Sequence, residues 1–311
     1  MSVCVFGSIN MDLVFRTARL PKPGETLHSS TFETIPGGKG ANQAVAAARL
    51  GTPTALVGRV GNDAYGHVLL EGLKAQGVDT TAIQIDTQIH SGIASICVGQ
   101  AQGDNQIVLA AGSNGCIDAT DVARLEPILR ASRVLLLQLE IPLPTVMAAA
   151  QMAHEFDVFT VLDPAPACIA LPEELYRWVE MITPNQTEAE VLTQLRVTTL
   201  EEAKQAAIAL HKKGAQRVVI TLGEQGAVAF DGNQFLHIPA DKTIAVDTTA
   251  AGDAFNGAVA AAMDQGYDWE TALHWGTAAG ALTVSKPGAQ PSLPTRETLL
   301  EWMACHGKHN G

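Results

Sequence analysis

The sequence predicts an α/β protein: a three-layer αβα sandwich with a mostly parallel central sheet and a small accessory β-sheet. Three observations predict it. Short apolar runs of strand length recur from one end of the chain to the other. Ala-rich amphipathic stretches lie between them. Polar residues with chemical potential gather just after the apolar runs. Strand alternating with helix favours parallel pairing with helices on both faces, and in such sheets ligands bind beyond the carboxyl ends of the strands.

The elements follow in order. Residues 3–9 read as a first strand, followed by apolar runs at 55–60, 134–139, 158–162, 181–183, 218–222 and 227–230. The helical stretches are 42–50, 66–76, 143–155, 201–213 and 253–265. Two segments break the alternation. Residues 12–36 carry Pro21, Pro23 and Gly24 with strand-like runs and no helical period. Residues 90–110 alternate and are split by Gly103-Asp104-Asn105, a hairpin signal. Together they predict an accessory sheet over the open end of the main one; the plainer reading is two unrelated surface excursions. No repeat, linker or boundary interrupts the chain, so one domain over 1–311 is expected.

Composition excludes several classes. A hydrophobic fraction of 47% with 17% charged residues is too apolar for a disordered chain. No stretch reaches the length of a membrane span, and residues 1–9 lack a basic region or signal-peptide pattern. The net charge of −12 argues against nucleic-acid or membrane partners. It leaves room for a small anion held by backbone N–H groups, helix N-termini and a metal ion. Cys4, Cys97, Cys116, Cys168 and Cys305 form no C-x-x-C and read as free thiols of a reducing cytoplasm.

Four constellations follow strands. The strongest is Asp247-Thr248-Thr249-Ala250-Ala251-Gly252-Asp253, preceded by the apolar segment 244–246 and followed by a helical pattern. Its small residues admit close backbone approach, and the helix N-terminus adds positive potential. That suits a phosphoryl group gathering charge, with Asp253 taking the proton of an acceptor hydroxyl. The plainer reading is an Asp that complements a helix start. The second is Gly37-Gly38-Lys39-Gly40-Ala41-Asn42. It is neither a Walker A loop, which needs Ser or Thr after the Lys, nor a complete G-x-G-x-x-G. A glycine turn with Asn42 as helix cap is its plain reading. The third is Asn185-Gln186-Thr187-Glu188, at capping-box spacing or, functionally, placed near phosphates and a hydrated Mg²⁺. The fourth is Thr221-Leu222-Gly223-Glu224-Gln225-Gly226, a tight turn or a nucleotide cradle. Asn10, Asp12, Glu140 and Asp163 stand at further strand ends.

Taken together, these motifs resemble the ribokinase-like (phosphofructokinase-B-type) sugar kinases over essentially the whole chain. Residues 37–48 with 58–66 resemble the family's N-terminal signature, and 247–257 its C-terminal signature. Stretches 7–12, 112–114, 164–167, 184–190 and 286–292 resemble the ribose-phosphorylating members. The resemblance implies a body of nine strands or so and a β lid formed by about 12–36 and 90–110, often used as a dimer clasp. It implies MgATP-dependent phosphorylation of the ribose 5-hydroxyl. By position, Asn10, Asp12, Gly38, Lys39, Asn42 and Glu140 would hold the sugar. Asp253 would be the base, and Ala250, Ala251 and Gly252 the anion hole. Asn185, Thr221, Gly223, Glu224, Gly226, Gly252 and Thr277 would meet ATP, and Glu188 would hold Mg²⁺ through water. A K⁺-type activator would sit among Asp247, Thr249, Thr283, Lys286, Gly288 and Ser292. Thr277 departs from the Asn or His that relatives often place near adenine, Met11 from a smaller residue beside the sugar, and Ala250 from a frequent Gly.

Rival readings are a deoxyribokinase or another furanose or nucleoside kinase, and a sugar- or nucleotide-binding regulator on the same scaffold. The intact Asp253 and anion hole speak against the regulator. The missing G-x-G-x-x-G speaks against a nicotinamide-dependent dehydrogenase.

Overall fold

The computed structural model describes residues 2–99, 101, 104–167 and 170–306. Gly103 of the expected hairpin and Cys168 lie outside the described residues. The strands are β1 (Val3–Phe6), β2 (Asn10–Thr17), β3 (Thr31–Gly37), β4 (Thr54–Gly61), β5 (Val78–Asp79), β6 (Ile83–Asp86), β7 (Gly92–Gly99) and β8 (Asp104–Ala110), then β9 (Val134–Leu137), β10 (Phe159–Leu162), β11 (Met181–Ile182), β12 (Arg217–Thr221), β13 (Ala227–Phe230) and β14 (Phe235–Ile238). The α-helices are α1 (Lys39–Arg49), α2 (Ala64–Ala75), α3 (Ala119–Leu129), α4 (Leu143–Glu155), α5 (Glu173–Trp178), α6 (Gln186–Thr193), α7 (Leu200–Lys212), α8 (Ala251–Asp264), α9 (Trp269–Val284) and α10 (Arg296–His306).

The main sheet has ten strands, in the order β14-β13-β12-β11-β10-β9-β1-β4-β5, with β6 paired to β4. Ladders from β12 to β5 are parallel; β13 pairs antiparallel with both β12 and β14 and is the one strand of the described sheet that runs against the rest. The period of two along each strand divides the apolar runs between two cores. Val3 and Val5 of β1 and Val134 and Leu136 of β9 join the core that packs α1, α8 and α9. Cys4, Phe6, Leu135 and Leu137 join the opposite core, under α3, α4 and α7. A strand buried on both faces has no polar alternation, which is why these segments read as continuous apolar runs.

The second sheet has four strands, in the order β3-β2-β7-β8. β2 pairs antiparallel with β3 over Asn10 to Arg16 and parallel with β7 over Asn10 to Thr17. The two irregular segments of the sequence therefore meet in one sheet, set off from the body.

Three local expectations change. The first run breaks after Phe6, and Asn10 opens the second sheet instead of ending the first strand. α1 starts at Lys39 with Gly38, at φ 89°, as its N-cap, so Asn42 lies inside the first turn and is not the cap. Residues 244–246 form no strand, and Ile244 and Val246 are exposed. Without a neighbour of its own in the sheet, this segment is tied to α9 instead, through Val246 N and Asp247 N donating to Val284 O.

Candidate active site

The parallel strands all point their carboxyl ends the same way, and five of them deliver polar groups there. β1 leads to Ser8 and Asn10, β9 to Gln138 and Glu140, β10 to Asp163, β11 to Asn185, and β12 ends in Thr221. α1, α6 and α8 start at the same end. α8 crosses α1 closely at Gly257, where an added Cβ would lie 2.8 Å from Gln43 O and 3.0 Å from Ala47 N. This close approach, four residues past Asp253, sets that carboxylate against Asn42 and Gln43.

Asp253 is buried in the first turn of α8. Its Oδ2 accepts from Asn42 Nδ2 at 2.9 Å and its Oδ1 from Gln43 Nε2 at 3.1 Å. Burial pushes its carboxyl up, while Lys39 and the two amides pull it back. Lys39 Nζ stands 4.0 Å from Asp163 Oδ2. Burial works against the Lys39 ammonium, but Asp163, Asp253, Glu140 and Glu188 outweigh it and hold the group above the ordinary lysine range. Asp163 is raised by burial first, opposed by Lys39 and reinforced by Glu188, Asp253 and Glu140. Glu188 is also raised, by burial above all. The site thus gathers more negative charge than Lys39 alone neutralises.

Lys39, Asp163, Glu188, Ala250, Gly252, Asp253 and Asn256 are among the groups lining a cavity of about 190 Å³. It adjoins a larger one of about 1100 Å³, and the two share Asn185, Thr221, Thr248, Ala251 and Gly252. The larger cavity is lined further by Gly223, Glu224, Gly226 and Thr277, and by the 240–245 loop. Every residue assigned to ATP from the sequence therefore borders this space. The Thr277 hydroxyl donates to Leu273 O at 3.0 Å within its own helix, so it brings no free donor to a base there. Trp302 Nε1 on α10 donates to Asp241 Oδ2 at 2.7 Å and anchors the outer loop. Ala250 adopts φ 62°, in the left-handed region that favours glycine. From there α8 leaves the N–H groups of its first turn without intrahelical acceptors.

The sugar-side candidates lie at the root of the small sheet. Asn10 Oδ1 accepts from Asn114 Nδ2 at 2.7 Å, and Asn114 also bonds both the N–H and the carbonyl of Ile9. Glu140 Oε2 accepts from Ser8 Oγ at 2.5 Å and from Lys39 N at 3.2 Å. Gly38 packs on β2 so closely that a Cβ would lie 2.7 Å from Asn10 N. Asp12 is buried beside Gly37, and its carboxyl is pushed up to about 7 by burial, then by Glu140 and Asp253. Of this set only Lys39 lines the smaller cavity; Asn10, Asp12, Gly38, Asn42 and Glu140 line neither space.

The Asn185–Glu188 pair forms the capping box its spacing predicted. Asn185 Oδ1 accepts from Glu188 N at 2.9 Å, and Glu188 Oε2 from Asn185 N at 2.8 Å. Both side chains nonetheless border the smaller cavity, so the cap and a site role coexist. Asp247 joins two loops: Oδ1 accepts from Thr249 N and Oγ1, and Oδ2 from Gly288 N at 2.9 Å. The Thr283 and Ser292 hydroxyls donate to Ala279 O and Ala289 O, leaving only oxygen lone pairs for any ligand.

Sequence reasoning missed Gln43, Gln138, Asn114 and Asn256. All are buried, and Gln43 bridges Asp163 and Asp253. The available signal was a lone Gln amid the apolar residues that follow Asn42, since a buried polar side chain is the exception that calls for a partner.

A carbohydrate-kinase family model, the pfkB family, matches residues 1–296. The chain belongs to the pfkB family of carbohydrate kinases. It is 42% identical over 302 residues to a ribokinase of Haemophilus influenzae, covering 97% of this chain and 98% of the relative. It is 35% identical over 304 residues to a deoxyribokinase of Salmonella typhi, covering 98% and 99%. The solved structure of Arabidopsis thaliana ribokinase complexed with ribose and ATP matches with TM-score 0.89 at 34% identity, over 97% of this chain and 98% of that one. The body and small sheet described above are thus the fold of these kinases. Among the described residues no helix is long and apolar enough to cross a membrane.

Proposed function

We propose that this pfkB-family kinase transfers the γ-phosphoryl group of MgATP to the 5-hydroxyl of D-ribose, giving ribose 5-phosphate and ADP. One observation carries the chemistry: a buried carboxylate, Asp253, at the start of α8 and at the seam between a nucleotide-sized cavity and the polar root of the small sheet. In this reading Asn10, Asp12, Gly38, Lys39, Asn42 and Glu140 form the sugar side. Asp253 takes the hydroxyl proton as the oxygen attacks phosphorus. The N–H groups of Ala250, Ala251 and Gly252 face the charge that builds on the transferring group. Asn185, Thr221, Gly223, Glu224, Gly226 and Thr277 border ATP.

Mg²⁺ suits the donors present. Glu188, raised by burial and lying near Asp163 and Asp253, leaves uncompensated negative potential that a hydrated divalent ion relieves. Bound there, the ion supplies charge neutralisation to the phosphates. A K⁺-type ion also suits the loops at Asp247 and Gly288. The Asp247 carboxylate accepts three hydrogen bonds and has about four lone-pair sites, so capacity remains for a cation beside backbone carbonyls of Thr249, Thr283, Lys286, Gly288 and Ser292. The ion would stiffen the loop that carries the anion hole.

A coupled ADP-release assay across ribose, 2-deoxyribose, fructose and adenosine tests the reading. Ribose should give the highest kcat/KM. Preference for 2-deoxyribose would place the chain with its deoxyribokinase relatives, and sugar binding without turnover would make it a regulator. Asp253→Asn should lower kcat by about 10²–10⁴ with ribose and ATP still bound. In the same assay K⁺ should raise the rate at constant ionic strength and Na⁺ should raise it little; equal rates without K⁺ would remove the cation site.

A further inference from the structure

Behind Asp253 runs a buried chain of amides whose direction is fixed. Gln43 on α1 and Gln138, the residue after β9, are both fully buried. Gln138 Nε2 donates to Gln43 Oε1 at 2.6 Å. Gln43 Nε2 then donates to Asp163 Oδ2 at 2.9 Å and to Asp253 Oδ1 at 3.1 Å. The Gln43 oxygen is taken by Gln138, so the end of Gln43 that faces the two carboxyl groups is its NH₂ group. Turning Gln43 over would set its carbonyl against both carboxylates and its NH₂ against that of Gln138. Asn42, the preceding residue, donates to the other oxygen of Asp253 at 2.9 Å. Each oxygen of Asp253 thus receives one N–H from consecutive positions of one helix, and Asp163 receives the second N–H of Gln43.

The surroundings make this arrangement necessary. Asp253 faces Lys39 on α1, Asp12 on β2, Glu140 after β9, Asp163 after β10 and Glu188 on α6. Among these charged groups only Lys39 favours an ionised Asp253, and the Asn42 and Gln43 amides assist it; the four acidic side chains and burial disfavour it. Two carboxylates brought together without a donor between them take up a proton and share it. A shared proton would occupy the atoms that must accept one from the sugar.

We propose that Gln43 is a positioning residue: its NH₂ group, oriented by Gln138, spans Asp253 and Asp163, keeping Asp253 ionised and aimed for proton abstraction. This rests on Asp253 being the base. Gln43 touches no reacting atom and acts only through the two carboxylates.

Gln43→Met keeps the length of the side chain and removes both N–H groups. In the intact kinase with ribose and MgATP, we expect kcat to fall about 10- to 100-fold at neutral pH, a fraction of what loss of a general base costs. The acid limb of the kcat/KM profile should move up by about one pH unit, because losing donors to a carboxylate raises its pKa. Raising the pH should recover part of the rate, which a merely structural defect would not allow. KM for ATP should stay within about twofold, since Gln43 borders neither cavity. Gln138→Met should shift the same limb in the same direction, and it carries the test if Gln43→Met fails to fold. An unmoved acid limb in a folded variant overturns the inference. Asp253→Asn, assayed in parallel, separates the layers. If it stays active, both the base assignment and this inference fall. If it is inactive while Gln43→Met keeps the parent profile, only the inference falls.

Discussion

Asp12 pairs a cost in stability with the sugar-binding role proposed for it. It is buried at the start of the small sheet, and a Cβ on Gly37 would collide with its carboxylate, so a larger residue there would have to displace the Asp12 side chain. Burial, then Glu140 and Asp253, push its carboxyl from 3.8 up to about 7. A carboxyl raised on folding binds more protons in the folded state. Its contribution is therefore most favourable at and below the unfolded value, and is lost as pH rises through about 7. Asp12→Asn removes this titration and keeps the shape. The melting temperature of the variant minus that of the parent, measured without sugar, should be larger at pH 8 than at pH 5. The same substitution should weaken ribose binding, the usual trade between stability and function. A difference independent of pH would show that the Asp12 carboxylate is not under the repulsion described. Sequence alone placed Asp12 at a strand end but could not supply this environment, because Glu140 and Asp253 lie 128 and 241 positions further along the chain.

At the scale of elements, the small sheet meets the body where the chemistry is. β2 leaves β1 after three residues, and β3 returns into α1 through Gly37 and Gly38. The φ of 89° at Gly38 and its tight contact with Asn10 N make this junction a glycine position. A sheet joined to the body this way, carrying Asn10 and Asp12 on its first strand, can close on a sugar if those residues hold it as proposed. Closure would keep water from the phosphoryl group. Saturating ribose should slow amide exchange in β2, β3, β7 and β8, with little change in β10 or α4. Unchanged exchange in the small sheet would exclude a closing lid. The body of the fold was legible in the sequence because strands buried on both faces must be apolar along their whole length, as β1 and β9 are. Element ends were less legible. α1 begins three residues before its apolar pattern, since Lys39 and Gly40 lie in the first turn, where polar and glycine residues carry no period. Segment 244–246 misled for the opposite reason: Ile244 and Val246 are β-formers by type, yet lie exposed beside the nucleotide-sized cavity with no neighbouring strand to pair them.

At the scale of the whole molecule, the small sheet leaves an apolar surface to account for. β3 and β8 are its two edges. Phe32 on β3 is 53% exposed, and Ile107, Val108 and Leu109 on β8 are 57%, 71% and 43% exposed. Successive strand residues point to opposite faces, so three exposed apolar neighbours mean that β8 is uncovered on both. An open edge with apolar side chains is a pairing surface that proteins cover or block. No charge blocks it on 107–110. A net charge of −12 opposes association of two copies in general, so association here has to come from apolar burial and strand pairing. We therefore expect a homodimer formed through the small sheets. Ionic strength should tighten it slightly, by screening the repulsion, instead of dissociating it. Val108→Asp puts a carboxylate at the most exposed of these positions and should yield a monomer in sedimentation at micromolar concentration, with the melting temperature of the body little changed. A parent that sediments as a monomer, or a Val108→Asp variant that keeps the parent's mass, would assign the exposed strand to something other than a second copy. If the dimer forms, each sheet braces its partner, and the ribose-dependent protection of β8 should shrink in the monomeric variant while that of β2 persists.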